Sequence, residues 1–250
     1  MEFIKVYGER NTNTNYFSKL IELNLSIKEI PGVIPSYLKF IQKFSPYKES
    51  IRDIYFSLNY KSNLGWKHTS VKNFKDLNEY KIVNNNLLFV TITKNPYSWL
   101  LSLHRKPYHH KKSQNLSFKK FLQSRWKTVK RDNTQLYLKS PIDLWNIKNN
   151  SYFNLKTSNV LHITSEMLIV NPEDVISDIS SKFNINRTSA NFKNYNKSTK
   201  DKDKDSNFYK NYYLKEKWKQ LLDQEAVDII NHNIDKNLMK FFDYDIIDKV

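Results

Sequence analysis

Eight consecutive residues near the amino terminus, Gly8, Glu9, Arg10, Asn11, Thr12, Asn13, Thr14 and Asn15, carry groups suited to holding an anion. An apolar run, Phe3, Ile4, Val6 and Tyr7, precedes them, and Tyr16, Phe17, Leu20 and Ile21 follow at helical spacing. A polar loop between a strand and a helix turns its backbone N–H groups and the positive helix end toward one point. Arg10 adds a charge, and Thr12 and Thr14 add hydroxyl donors. The loop lacks the Gly-Lys-Ser/Thr ending of a Walker motif, and with it the usual lysine and Mg²⁺-binding hydroxyl, so a nucleotide held here needs no metal. His104, His109 and His110 form a second cluster, but they have no carboxylate neighbour and fit no common zinc spacing. They read as a solvated basic face or as acceptor contacts; Trp66, Trp99 and Trp126 read as core. No metal site is expected.

Composition narrows the classes. The chain has 250 residues and a formal charge of +16, from 41 Lys and Arg against 25 Asp and Glu, which favours anionic partners. No repeat or Gly/Ser linker divides it, so a single domain over 1–250 is expected. The absence of cysteine excludes disulfides, thiolate nucleophiles and Cys-ligated zinc. The amino terminus lacks the apolar core of a signal peptide, and no apolar run approaches the roughly 20 residues of a membrane helix, so a soluble, cytoplasmic protein is expected. Two rival readings belong to other classes. A nucleic-acid-binding protein could use the charge with 16 Tyr and 15 Phe, and predicts a contiguous basic stripe with exposed aromatics. A P-loop nucleotide kinase is disfavoured by the missing Walker lysine. An enzyme acting on an anion predicts cations converging on one cleft.

The elements that must position such a site alternate. Leu87–Thr93 (LLFVTIT) reads as a buried strand, and Pro96 then opens a helix whose inner face is Trp99, Leu100 and Leu103. Val160–Thr164 reads as a third strand, followed by a helix capped by Asn171, opened by Pro172 and buried through Val175, Ile176, Ile179 and Phe183. Alternating strands and helices imply an α/β fold with a central, mainly parallel sheet flanked by helices, and ligands beyond the carboxyl ends of the strands. Residues 197–207 contain no apolar side chain and read as a mobile surface loop. Ala226, Ile230, Ile234 and Leu238, four apart, predict one amphipathic helix near the carboxyl terminus.

The segment GERNTNTNYFSKLIELN resembles the 5′-phosphosulfate loop of sulfotransferases, in the form GERxSGTNxL, with Asn13 where that family commonly has glycine. Asn is the non-glycine residue that best tolerates a left-handed backbone. TKNPYSWLLSL is similar to the family's 3′-phosphate motif, an Arg-Asn-Pro start followed by a serine, and places Lys94 and Ser102 on those positions. Lysine keeps the charge and gives up the bidentate fork. GWKHT sets His68 like the general base of the cytosolic members. HRKPYHH and NYYLKEKWKQLL are similar to later parts of the family, and SEMLIVNPEDV resembles its later strand-to-helix segment with Ser165 in place of the usual tyrosine. The resemblance spans nearly the whole chain. It implies a three-layer P-loop-NTPase-like fold and a sulfotransferase that uses 3′-phosphoadenosine 5′-phosphosulfate, without a metal, on a hydroxyl or amine of a small-molecule or glycan acceptor. Residues Gly8 to Asn15 would cradle the 5′-phosphosulfate, with Arg10 also stabilising the leaving phosphate. Lys94 and Ser102 would hold the 3′-phosphate, and His68 would take the acceptor's proton, with Glu9 the substitute base.

Overall fold

The computed structural model describes residues 1–72, 74–80, 83, 86–196 and 205–250. All three apolar runs become strands. β1 (Phe3–Gly8), β2 (Lys28–Glu29), β3 (Leu87–Thr93) and β6 (Val160–Thr164) form a sheet in the order β2-β1-β3-β6, with every neighbouring pair parallel. β4 (Trp126–Lys127) and β5 (Tyr137–Leu138) make a separate antiparallel ribbon. Strands covered on both faces are buried along their length rather than at alternate residues, and β1 from Ile4 onward and all of β3 are of that kind.

Successive side chains of a strand point to opposite faces, and the packing follows. Ile4 and Val6 of β1, with Leu88, Val90 and Ile92 of β3, meet Phe17, Leu20 and Ile21 of the helix Thr14–Asn24, and Val175, Ile176 and Ile179 of the helix Pro172–Lys182. Tyr7, Leu87 and Phe89 face the other way, toward Tyr152 and Leu155 at the end of the helix Pro141–Phe153. A further cluster under the carboxyl-terminal helices contains Trp99, Trp126, Trp145 and Trp218. The α/β architecture, a parallel sheet with helices on both faces, is therefore the one expected.

The second face also buries Lys5, Thr91 and Thr93 completely. Nζ of Lys5 donates to the carbonyls of Asn63 at 2.5 Å and Gly65 at 2.8 Å, and burial pushes its pKa down to about 7. These bonds draw residues 63–65 across the end of β1. Gly8 N–H then donates to the Lys67 carbonyl at 2.9 Å, which sets the Trp66 to His68 segment against the first loop.

Several local expectations need correction. Asn171 makes no side-chain cap; it ends the preceding helix Ser165–Val170 through its own N–H to Met167 O at 2.9 Å, while Pro172 opens the next helix as expected. The expected single carboxyl-terminal helix is two, Gln224–Asn233 and Lys236–Phe241. Asp235 breaks it by capping the second, accepting from the N–H groups of Asn237 and Leu238 at 2.9 and 3.2 Å. Ala226, Ile230, Ile234 and Leu238 are all buried nonetheless. Of the expected loop at 197–207, residues 197–204 lie outside the described residues, and Asp205 caps a helix beginning at Ser206. Among the described residues, no helix is long and apolar enough to cross a membrane.

Candidate active site

The first loop leaves β1 through a tight turn. A Cβ on Gly8 would stand 2.7 Å from Thr12 Oγ1 and 2.8 Å from the Ile92 carbonyl, so only glycine fits. Asn11 and Asn13 take left-handed conformations, with φ of 68° and 63°. The Asn13 amide then donates to Ser165 Oγ at 2.6 Å, which ties the loop to the far side of β6. Thr12 turns inward and donates to the Glu9 carbonyl at 2.6 Å.

Arg10 is buried, and its guanidinium lies over the rings of Tyr108 at 4.5 Å and Trp66 at 4.8 Å. Its Nη1 donates to His109 Nδ1 at 3.1 Å, and His109 in turn donates through Nε2–H to the Lys127 carbonyl at 2.7 Å. Burial, with the Arg10 charge, holds the His109 imidazole below its ordinary pKa, so it accepts as the neutral ring. The Trp99 indole N–H fixes the Arg10 carbonyl at 2.8 Å. Among the described residues, no carboxylate forms an ion pair with Arg10.

Glu9 points away from this surface. Its Oε1 accepts the Arg10 N–H at 2.6 Å, and its Oε2 lies 3.2 Å from Nζ of the fully buried Lys148. Lys148 also meets Asp132 at 2.7 Å and donates to the His68 carbonyl. Burial alone would raise the Asp132 pKa, but the Lys148 and Arg10 charges outweigh it and hold that carboxyl below its usual value. The buried Glu9, Lys148 and Asp132 group thus fastens the first loop, the 129–132 turn and the helix Pro141–Phe153 together.

His68 stands beside the loop with its tautomer defined. Nδ1–H donates to the Gly8 carbonyl at 2.5 Å, which leaves Nε2 as the acceptor. Burial pushes its pKa well below the ordinary imidazole value, and Lys67, Arg10 and Lys148 add to the effect while the Gly8 carbonyl opposes it. The ring is therefore neutral near pH 7. Trp66 packs edge-on against it at 4.8 Å.

A second cationic position comes from β3. Asn95 caps the helix Pro96–Arg105 by accepting from Tyr97 N–H at 3.1 Å and Ser98 N–H at 3.4 Å, and the Trp145 indole N–H holds the Lys94 carbonyl at 2.9 Å. Nζ of Lys94 donates to Tyr213 Oη at 2.6 Å and Ser102 Oγ at 3.1 Å. Among the described residues its hydrogen-bond partners are these two hydroxyls, not a carboxylate. Burial pushes its pKa down to about 8, with Glu166 opposing and Arg105 assisting. A buried ammonium without a paired carboxylate is costly, and an anion in contact removes the cost.

One cavity of about 1020 Å³ joins these parts. Arg10, Asn11, Asn13, Thr14, Asn15 and His68 line it, and so do Lys94 and Ser102. Of the residues proposed from sequence, Gly8, Glu9 and Thr12 stand behind this surface. Trp99 and Trp126 are core as expected, whereas Trp66, although buried, also lines the cavity. Among the described residues, no group of three or more His, Asp or Glu could hold a metal ion.

No protein-family model and no curated protein matches the sequence. Among solved structures, the sulfotransferase domain from the Synechococcus PCC 7002 olefin synthase aligns with 98% of this chain and 95% of that chain, at 12% identity and a TM-score of 0.51. The chain has a sulfotransferase-domain fold. A sulfotransferase domain from the curacin biosynthetic pathway aligns over 98% of this chain and 99% of that chain, at 12% identity and a TM-score of 0.48.

Within this sulfotransferase-like fold, sequence reasoning missed several residues. Arg105 lies three positions after Ser102, on the same helix face, and also lines the cavity, so its spacing was a usable signal. Tyr213 reaches Lys94 from 119 positions away, and no local pattern marks that contact. His109, read as a solvated or acceptor-facing residue, instead orients Arg10; His104 is occupied by the Leu116 carbonyl at 2.8 Å.

Proposed function

We propose that the protein is a sulfotransferase with the three-layer P-loop-like fold of that family, moving a sulfuryl group from 3′-phosphoadenosine 5′-phosphosulfate to a hydroxyl or amine acceptor. The observation that carries this reading is that Arg10 and Lys94, two buried cations that form no ion pair with a carboxylate among the described residues, line one cavity, with an imidazole acceptor beside Arg10. Cations converging on a cleft are what the enzyme reading expects and the nucleic-acid reading does not.

The donor nucleotide supplies an activated sulfuryl group. The residues present suit it: Lys94, Ser102 and Arg105 would hold the 3′-phosphate, and Arg10, Thr14 and the loop N–H groups would hold the 5′-phosphosulfate. Arg10 is positioned by His109 and stacked between Trp66 and Tyr108, so it needs no rearrangement to meet negative charge as it develops. His68 would accept the acceptor's proton at Nε2 while the Gly8 carbonyl stabilises the positive ring through Nδ1–H. Burial and, after it, the cationic surroundings depress the His68 pKa, and a bound anion partly neutralises those cations, which raises its basicity when a base is needed. Glu9 is held by Lys148 and does not line the cavity, which favours His68 as the base in this reading.

Calorimetric titration with 3′-phosphoadenosine 5′-phosphate in the absence of Mg²⁺ tests the reading. Binding stronger than that of ATP, and unchanged by added Mg²⁺, is expected. Equal affinity for ATP, or a requirement for Mg²⁺, overturns it.

A further inference from the structure

Next to residues that line the cavity, the chain exposes an apolar face that the chemistry above does not use. Tyr37, Phe40, Ile41 and Phe44 recur on successive turns of the helix Ser36–Ile41 and the 3₁₀ turn after it, and Tyr47 continues the face. Phe40 is 61% exposed and Phe44 77%, and the two rings touch edge to face with centroids 5.3 Å apart. The helix Ser36–Ile41 buries none of its own residues. A monomeric protein rarely leaves so many large apolar side chains together in water without a partner.

The charge along this segment is one-sided as far as Glu49, which Arg52 and Arg131 pair. From Ile30 to Lys48 there is no Asp or Glu, while Lys39, Lys43 and Lys48 are present and exposed. Aromatic and aliphatic side chains flanked by lysines and free of acids are the composition of a segment that lies in the headgroup region of an anionic bilayer. A second copy of this chain, with a formal charge of +16, would instead bring like charges together. Val33, Ile34, Lys39, Pro46 and Lys48, which adjoin the face, also line the cavity, as does Tyr47 within it.

We propose that the face of Tyr37, Phe40, Ile41, Phe44 and Tyr47 docks on the surface of an anionic lipid bilayer, with Lys39, Lys43 and Lys48 at headgroup level. The proposal does not depend on the sulfuryl chemistry and is read without it.

Flotation with vesicles of phosphatidylcholine, alone or mixed with phosphatidylglycerol, tests this. The full chain should bind the mixed vesicles and not the neutral ones. Phe40→Ser with Phe44→Ser removes two inserting rings and should weaken partitioning about tenfold or more, with the thermal midpoint unchanged because both rings are exposed. Lys39→Glu with Lys43→Glu should weaken it more than Lys156→Glu with Lys182→Glu, which change net charge equally elsewhere on the surface. No binding to mixed vesicles overturns the proposal, as does binding unaffected by the phenylalanine changes with all lysine pairs equivalent. A concentration-dependent dimer dispersed by Phe40→Ser with Phe44→Ser also overturns it and assigns the face to a second copy.

Discussion

Asn13 and Ser165 each depart from the residue usual in the family the sequence resembles, and they are hydrogen-bonded to each other at 2.6 Å. Asn13 holds a left-handed backbone that costs most side chains roughly 1–2 kcal/mol, and its amide recovers part of that through the serine. Asn13→Ala is therefore expected to lower stability by about 1–2 kcal/mol in urea unfolding, and Asn13→Gly by less, since glycine takes the backbone angle without strain. His68 belongs to another test. His68→Ala should lower kcat by about 10² to 10⁴ and leave the affinity for 3′-phosphoadenosine 5′-phosphate nearly unchanged, as stopped assays and calorimetry would show. Normal turnover would move the base elsewhere. Lys94 sets a pH dependence. Its pKa of about 8 means that the free protein loses this charge as pH rises through 8, while a bound 3′-phosphate favours the charged form and raises the pKa. Affinity for the 3′-phosphorylated nucleotide should thus be flat below pH 8 and fall above it. Lys94→Arg should remove that fall, because guanidinium stays charged; a fall of equal slope in the variant would exclude Lys94 as its source.

The three longer strands were legible as short runs rich in apolar residues: β3 and β6 have the bounds that their runs predict, and β1 extends one residue further. The Pro96 helix was legible for a different reason, since Asn95 and Pro96 cap and open it by local chemistry alone. β2, two residues long and at the sheet edge, carries no such pattern. The wall at 36–58 was illegible too, because only Gln42 and Phe56 are buried along its helices, so its apolar residues do not mark a core. Asp235 shows how one local signal can override periodicity: the spacing from Ala226 to Leu238 is helical, but the aspartate starts a new helix within it. Asp235→Ala is expected to cost about 1 kcal/mol of stability, measured by chemical denaturation, with nucleotide affinity unaffected. A loss well below that would mean that the second helix is held by the packing of Leu238 and Met239 rather than by its cap.

At the scale of the molecule, the groups proposed for the site and those that position them were legible where they lie on loops that follow strands, and illegible where tertiary folding delivers them. Gly8 to Asn15 and Lys94 fall in the first class; Tyr213, His109 and the Lys148 group fall in the second. Binding of a nucleotide only to the folded chain raises its stability by about 2.7 kcal/mol at a hundredfold excess over the dissociation constant. Thermal melts with 3′-phosphoadenosine 5′-phosphate, without Mg²⁺, should therefore show a clear rise in midpoint that ATP at equal concentration does not reproduce. The joining of Glu9, Lys148 and Asp132 has a consequence in time as well as in space. A loop bolted to the helix behind it does not breathe independently, so amide hydrogens of residues 9–14 should exchange with deuterium as slowly as those of β3, while those of residues 36–48, with little buried, should exchange within the earliest labelling times. A nucleotide would then enter and leave by movement of that outer wall, and its residence time would be set there rather than by the groups that grip its phosphates.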